Sequence, residues 1–378
     1  MSKISQFQIY CMLMILSLSL GFLITPKLLT EQLGNNAWLA VLAALIPASL
    51  LIYVYVAIIK KSYQPFPLLL EDHLGVKLGK VVGFLYIFFF FFTTSWATRT
   101  FIDFIESHVL PGTPISIFVG SMLFISFLGV KSGLAGMARM AEIIVYIAMP
   151  FTFLILLLTL LNNPYFHNLA PFGANMDYYS FSRAILDSLL GLLTIFPVLT
   201  LAFYSAQPQN LAKTMFIVIL SYILILTLTT LTTIIVLGGQ FTNYFYFPTF
   251  VAVRMINLGE FIQNIDIIFI GIWVMGIFGR IALSWFMICY TAKGVFNLPD
   301  YRFLAAPTAL IIGFTSIQLS PNIVELTQII TAYVVPLLYF AFLLLVPLLL
   351  FVITMFKAPV KQNSEIGETG QIQETSAK

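Results

Sequence analysis

The sequence predicts an all-α polytopic membrane protein with ten transmembrane helices, and three observations carry that reading. Of 378 residues, 60% are hydrophobic and only 9% charged, far below the roughly 25% of a soluble domain. The apolar residues fall in long runs, and about 20 of them span a hydrocarbon core. The runs are continuously apolar, whereas the strands of a membrane β-barrel alternate apolar and polar residues.

Charges, prolines, glycines and asparagines break the runs into spans near 7–24, 37–59, 82–105, 113–130, 141–162, 184–204, 215–238, 264–290, 303–319 and 330–356. The first run ends in "GFLITPKLL" with no small-x-small cleavage signal, so it reads as a retained helix and not a signal peptide. The Glu/Gln/Lys-rich tail, 357–378, lacks apolar periodicity and is expected to be a disordered cytoplasmic segment. Direction follows the bias of lysine and arginine. With the N-terminus inside, thirteen of them face the cytoplasm and three (Lys27, Arg183, Arg254) face outward, while Arg99 and Arg280 lie within spans. Both termini are therefore expected in the cytoplasm. The net charge of +3 reflects those inner loops and points to no nucleic-acid partner. Cys11 and Cys289 sit in hydrophobic segments, and His73, His108 and His167 in separate loops, so no disulfide, metal site or cofactor is expected. No nucleophile–base pair or phosphate loop suggests an enzyme.

Ten spans divide into five plus five, a first repeat of about 4–162 and a second of about 180–356, within one membrane domain of 1–356. Five is odd, so the second half enters from the opposite side. Inverted repeats of this kind place substrate sites at discontinuous helices near the midplane. The first helix of each half carries a glycine followed by a proline, Gly21 and Pro26 in "SLSLGFLITP", Gly191 and Pro197 in "LLGLLTIFP". Glycine loosens a helix and proline removes a backbone donor. Interruptions of spans 1 and 6 are expected there, though ordinary kinks would give the same residues.

Several stretches resemble one family, the B subunit of spore germinant receptors, in the amino acid/polyamine/organocation (APC) transporter superfamily. "TRTFIDFIESHVLPGTPISIF" is similar to its arginine, acidic turn and Leu-Pro-x-Thr-Pro pattern; "GLAGMARMAEI" to its Gly-rich loop; and "YFPTFVAVRMINLGEFIQNIDIIFIGIWVMGIFGR" to its outer loop and span 8. "GFLITP" and "LPDYRFLAAP" fit as well, so the resemblance covers roughly 4–356. It implies a LeuT-like ten-helix fold, residence in the spore inner membrane beside an A subunit and a lipoprotein C subunit, and detection of an amino acid, sugar or nucleoside that triggers germination.

Polar residues inside the spans nominate the site. Arg99 and Asp103 are four apart and share a helix face. They read either as a snorkelling pair at the outer headgroups or as an outer gate, with Asp187 as a second carboxylate sharing the arginine. Asp187 would receive an amine or a proton, or else stabilise a helix N-terminus. Trp96, with Thr93, Thr94 and Ser95, would wall a pocket or simply pack between helices. Arg139 and Glu142 read as a cytoplasmic ion pair. Arg280 has no acidic neighbour four residues away, and an intramembrane arginine is a functional candidate by default. Asp266 and Glu325 fall near outer ends and are expected to be solvated. Thr249–Phe261 reads as a short outer helix lying over the pocket or on the lipid surface. The ligand is expected between the breaks of spans 1 and 6, at Ser19, Gly21, Trp96, Gly191 and Thr194. Three functions compete: a nutrient-sensing receptor subunit, a proton-coupled amino acid or polyamine permease, and a purely structural subunit.

Overall fold

A computed structural model describes residues 3–162, 164–171, 173, 176–256 and 265–356. The expected tail, and 257–261 of the expected outer helix, lie outside the described residues. Among the described residues the chain is helical throughout. Its only β feature there is an isolated parallel bridge between Ile4 and Ser205.

The helices follow the apolar runs. They are α1 (Gln6–Leu33), α2 (Ala37–Ala43), α3 (Leu45–Lys61), α4 (Phe66–Leu74), α5 (Val76–His108), α6 (Ile115–Asn162), α7 (Tyr178–Leu193), α8 (Val198–Leu201), α9 (Leu211–Leu237), α10 (Gly239–Thr242), α11 (Pro248–Arg254), α12 (Asp266–Val295) and α13 (Ala305–Gln318). The final stretch, α14 (Ile323–Phe356), contains wide π-helical turns at Leu326–Val334 and Phe340–Leu345. Among the described residues, seven helical stretches are long and apolar enough to cross a membrane. One of these, Gln6–Lys61, holds two of the expected spans. Another, α6, also holds two, divided by Gly133, whose φ of 79° and ψ of 176° break the helix in a region that favours glycine. The expected ninth span is the 14-residue α13, shorter than the other crossings.

α1 lies at the centre of the bundle, against α6, α7, α9, α11 and α12. Ser5 caps it, accepting from the Gln8 N–H, while the Gln8 side chain accepts from the Ser5 N–H. The expected interruption at Gly21–Pro26 is not found: α1 is one helix from Gln6 to Leu33 with Pro26 inside it. The reason is tertiary. Proline at 26 leaves the Phe22 carbonyl without its helical donor, and the Thr249 hydroxyl of α11 donates to that oxygen at 2.9 Å.

Span 6 does break, at Thr194–Pro197 between α7 and α8. Yet its backbone groups are not freed as expected. The N–H groups of Thr194, Ile195 and Phe196 donate to Gly191, Leu192 and Leu193 at 3.1–3.3 Å, an i→i+3 tightening that keeps them paired in an apolar interior. α14 uses the same economy. Pro347 lacks an N–H, and the Tyr55 and Tyr86 hydroxyls donate to the Leu343 and Phe342 carbonyls just before it. In α9, Thr229, Thr230 and Thr233 each donate to the carbonyl four residues back at 2.8 Å, so this threonine-rich segment buries no free hydroxyl at those positions.

The N-terminal segment is pinned to the end of span 6. Ile4 N–H donates to the Tyr204 carbonyl and Ala206 N–H to the Ile4 carbonyl, each at 2.9 Å. The expected Arg139–Glu142 pair is absent: Arg139 donates to the Ala135 carbonyl and Glu142 accepts from Gln8. Asp266 is not simply solvated but sits 3.9 Å from Arg254, whereas Glu325 is exposed. α11 buries Pro248, Thr249, Phe250, Ala252 and Val253, so it packs on the bundle as a cover over α1.

Candidate functional site

A small cavity lies between α1 and α7. Its wall includes Ser17, Gly21 and Thr25 of α1, Asp187 and Gly191 of α7, Thr194, Trp96 of α5, Arg280 of α12, and Thr331 and Tyr339 of α14. Its volume is about 40 Å³, enough for water at roughly 10–15 Å³ per molecule in this measure, but far below the roughly 300–1,000 Å³ of ligand pockets. A space this small holds water and not a nutrient. A second cavity of about 20 Å³ lies beside it, and Thr194, Arg280 and Tyr339 line both. Those three side chains form the septum between the two spaces.

The septum is held by one carbonyl. Thr194 Oγ1 donates to the Leu16 oxygen at 3.0 Å, and Arg280 Nη1 donates to the same oxygen. Arg280 Nη2 donates to the Tyr339 hydroxyl at 2.9 Å. Arg280 is 4% exposed, and no carboxylate of the described residues lies within ion-pair distance. Trp96 closes the wall from α5, with Nε1 donating to Thr331 Oγ1 at 3.1 Å and its ring edge-on to Tyr339.

Four of the five expected ligand residues, Gly21, Trp96, Gly191 and Thr194, meet in this cavity. Ser19 does not. It faces a separate, apolar cavity of about 60 Å³ between α1, α6 and α12, beside Trp273 and Gly276. Two residues along a helix turn a side chain by more than half a revolution, so Ser17, not Ser19, is the α1 serine on the central wall.

The two glycines have a more specific role than openness. A Cβ at Gly191 would fall 2.2 Å from the Tyr222 hydroxyl oxygen of α9, and one at Gly21 would fall 3.2 Å from the same atom. Both are absent side chains that accommodate one fully buried phenol. Tyr222, a single tyrosine within "VILSYILIL", carries no signal of this role in its local sequence.

The charged pairs also differ from expectation. Arg99 Nε sits 3.0 Å from Asp103 Oδ1, and both side chains are 4% exposed, so the pair is buried and not snorkelling. The arginine's other partner is the Ile317 carbonyl of α13 at 3.2 Å. Asp187 does not share it. Asp187 accepts from Gln32 Nε2 of α1 at 2.7 Å, with Arg183 at 4.0 Å. Nor does it stabilise the start of α7, where Asp177 is the cap and accepts from the Ser180 N–H. Asp187 instead latches α7 to the C-terminal end of α1 and lines the cavity. Gln32, Thr25, Thr331 and Tyr339 went unread because each acts through a partner distant in sequence. Among the described residues no cluster of ligating side chains suits a metal, and Cys11 and Cys289 are buried and unpaired.

A family described as "Spore germination protein" matches residues 3–324. The chain belongs to that family. It is 27% identical to spore germination protein KB of Bacillus subtilis (strain 168), over 96% of this chain and 98% of that one. It is 24% identical to the putative spore germination protein YfkT of the same organism, over 95% and 98%. Its fold is similar to that of Mhp1, a nucleobase-cation-symport-1 family transporter in a closed conformation with bromovinylhydantoin bound. The TM-score is 0.60 at 12% identity, covering 91% of this chain and 79% of the other. The fold is thus that of a transporter-like, all-helical integral membrane protein, and the family is one of germination-related membrane proteins.

Proposed function

We propose that the chain is the multi-pass subunit of a spore germinant receptor, binding a small nutrient (an amino acid, sugar or nucleoside) in the cavity between α1 and α7. The observation that carries this is the small cavity at the interrupted span 6, with Asp187, Thr194 and Arg280 on its wall, in a member of a germination family. Mhp1, of similar fold, has a ligand bound in a closed conformation. In this reading the chain is built as a 5+5 inverted repeat, about 4–162 and 180–356. It sits in the spore inner membrane with both termini in the cytoplasm and works with A and C subunits. Glycine and threonine at the wall would let a ligand approach backbone, and Trp96 would cover it. Admission requires α1 and α7 to separate, because the present space holds little more than water.

The test is a germination screen of spores lacking this chain, across single amino acids, sugars and nucleosides. Loss of response to one nutrient class, restored by the wild-type gene, is expected. An unchanged response to every nutrient would end the receptor reading. The transporter-like fold also favours a second reading, a permease. Uptake of a labelled nutrient by vesicles holding this chain alone would select it.

A further inference from the structure

We infer that Arg280 is the recognition group for a carboxylate on the ligand of the central cavity, so that the nutrient is an anionic or zwitterionic acid and not an uncharged sugar or nucleoside. This rests on the receptor reading above and narrows it.

The geometry points to this from four sides. Arg280 is a cation buried to 4% exposure at the middle of the bundle. Its two hydrogen-bonded partners, the Leu16 carbonyl and the Tyr339 hydroxyl, are neutral. An arginine carries five N–H donors in a planar fork that matches a carboxylate. Here Nε, buried, meets no acceptor among the described residues. The side chain lines the cavity, so a carboxylate held there would meet a guanidinium with donor capacity left over.

A buried charge is normally paired: the other arginine buried within a span, Arg99, has Asp103, and even the exposed Arg183 and Arg254 stand near Asp187 and Asp266. Arg280, about as buried as Arg99, has no such carboxylate among the described residues. The two contacts it does make fix its position, since α1 and α14 each hold one Nη nitrogen. A carboxylate entering from the cavity would meet a preorganised fork whose ordering cost is already met. It would also find the Thr194 hydroxyl at the same level, because both groups address the Leu16 oxygen.

The carboxylate at the other end of the cavity does not substitute for it. Asp187 precedes Thr194 by seven residues, roughly 10 Å along a helix, and is occupied by Gln32. The amine of an α-amino acid lies next to its carboxylate and would not span that distance. Asp187 therefore remains a latch when such a ligand is held at Arg280. Ligand binding at the septum also gives the nutrient a grip on α1, α12 and α14 at once, the contacts through which Arg280 already ties them.

The test uses the full chain, purified into phosphatidylcholine nanodiscs, with binding read by thermal stabilisation. The probes are the common amino acids, each as free acid and as carboxamide, with glucose and inosine as uncharged nutrients, all in potassium methanesulfonate and again in potassium chloride. At least one free acid is expected to stabilise the protein in both salts, and its carboxamide should bind on the order of 100-fold more weakly, the scale for truncating one partner of a buried charge pair. Arg280→Gln should lose the preference for acid over amide, and Arg280→Lys should keep part of it. The acid–amide comparison is made on the wild-type chain, so it stands even where a variant fails to fold. Binding of glucose or inosine with no acid preference would overturn the carboxylate assignment and leave the receptor reading intact. Stabilisation by chloride alone, with no acid effect in methanesulfonate, would assign Arg280 to an inorganic anion and equally overturn it. No binding by any probe would overturn both readings.

Discussion

Replacing Gly191 with alanine should destabilise the protein through Tyr222, and the structure sets the size of the effect. The added Cβ would stand 2.2 Å from the phenol oxygen, 2.7 Å from Cζ and 2.9 Å from Cε2. Carbon atoms pack at about 3.5–4.0 Å, so the ring must retreat by roughly 1 Å. It is fully buried and has nowhere open to go. Overpacking of this kind costs about 1–3 kcal/mol. Alanine also gains up to about 1 kcal/mol of helix propensity over glycine, which partly offsets the clash. A double-mutant cycle separates the two. In a Tyr222→Leu background the ring is gone, so Gly191→Ala should become neutral or stabilising, with a coupling of about 1–3 kcal/mol, the range for residues in contact. Gly21→Ala meets the same oxygen at 3.2 Å and should couple far less. The assay is unfolding of the purified protein in mixed micelles over an SDS titration, followed by tryptophan fluorescence. Equal costs for Gly191→Ala in both backgrounds would refute the assignment of this glycine to Tyr222.

Three further outcomes are expected. Thr249→Val strips the donor from the Phe22 carbonyl and should cost about 1–3 kcal/mol, the desolvation penalty of an unpaired buried acceptor; unchanged stability in the same titration would mean that α11 does not support the proline turn of α1. Asp103→Asn leaves Arg99 buried without its counter-charge and should cost about 3–5 kcal/mol, with Arg99→Met/Asp103→Leu recovering much of it; a double variant worse than the single would show that the pair serves more than packing of α5 on α13. Ser364→Cys should react with an impermeant maleimide only after membranes are permeabilised, and labelling in intact cells would reverse the proposed topology.

The helices were legible because long apolar runs broken by charges state their own boundaries. Span 6 was read as broken, and it is, because Gly191 and Pro197 weaken the helix from within. Span 1 carries the same pair of residue types yet stays continuous, because a threonine more than two hundred positions away supplies the hydrogen bond that Pro26 removes. Local sequence records the weakness and not its remedy. The same limit governs the site. Gly21, Gly191, Trp96, Thr194 and Arg280 were found, since residues unsuited to lipid stand out in a membrane span. Tyr222, Gln32 and Tyr339 were not, since an ordinary tyrosine or glutamine gains meaning only from what it faces. Helical periodicity would have moved the serine from position 19 to 17 once Gly21 was set on the cavity wall, since four residues place two side chains on one face.

The central claim is that nutrient occupies the cavity between α1 and α7, and a germination dose–response with spores carrying Leu190→Trp tests it most directly. Leu190 lines the cavity from α7 and is 8% exposed. An indole there would fill a space of about 40 Å³ that the nutrient must enter. The account predicts that half-maximal germination shifts to at least tenfold higher nutrient, on the scale of about 1.4 kcal/mol or more of lost affinity, with the subunit at wild-type level by immunoblot. A response that keeps its wild-type midpoint, or that falls only in proportion to the amount of protein, would contradict it.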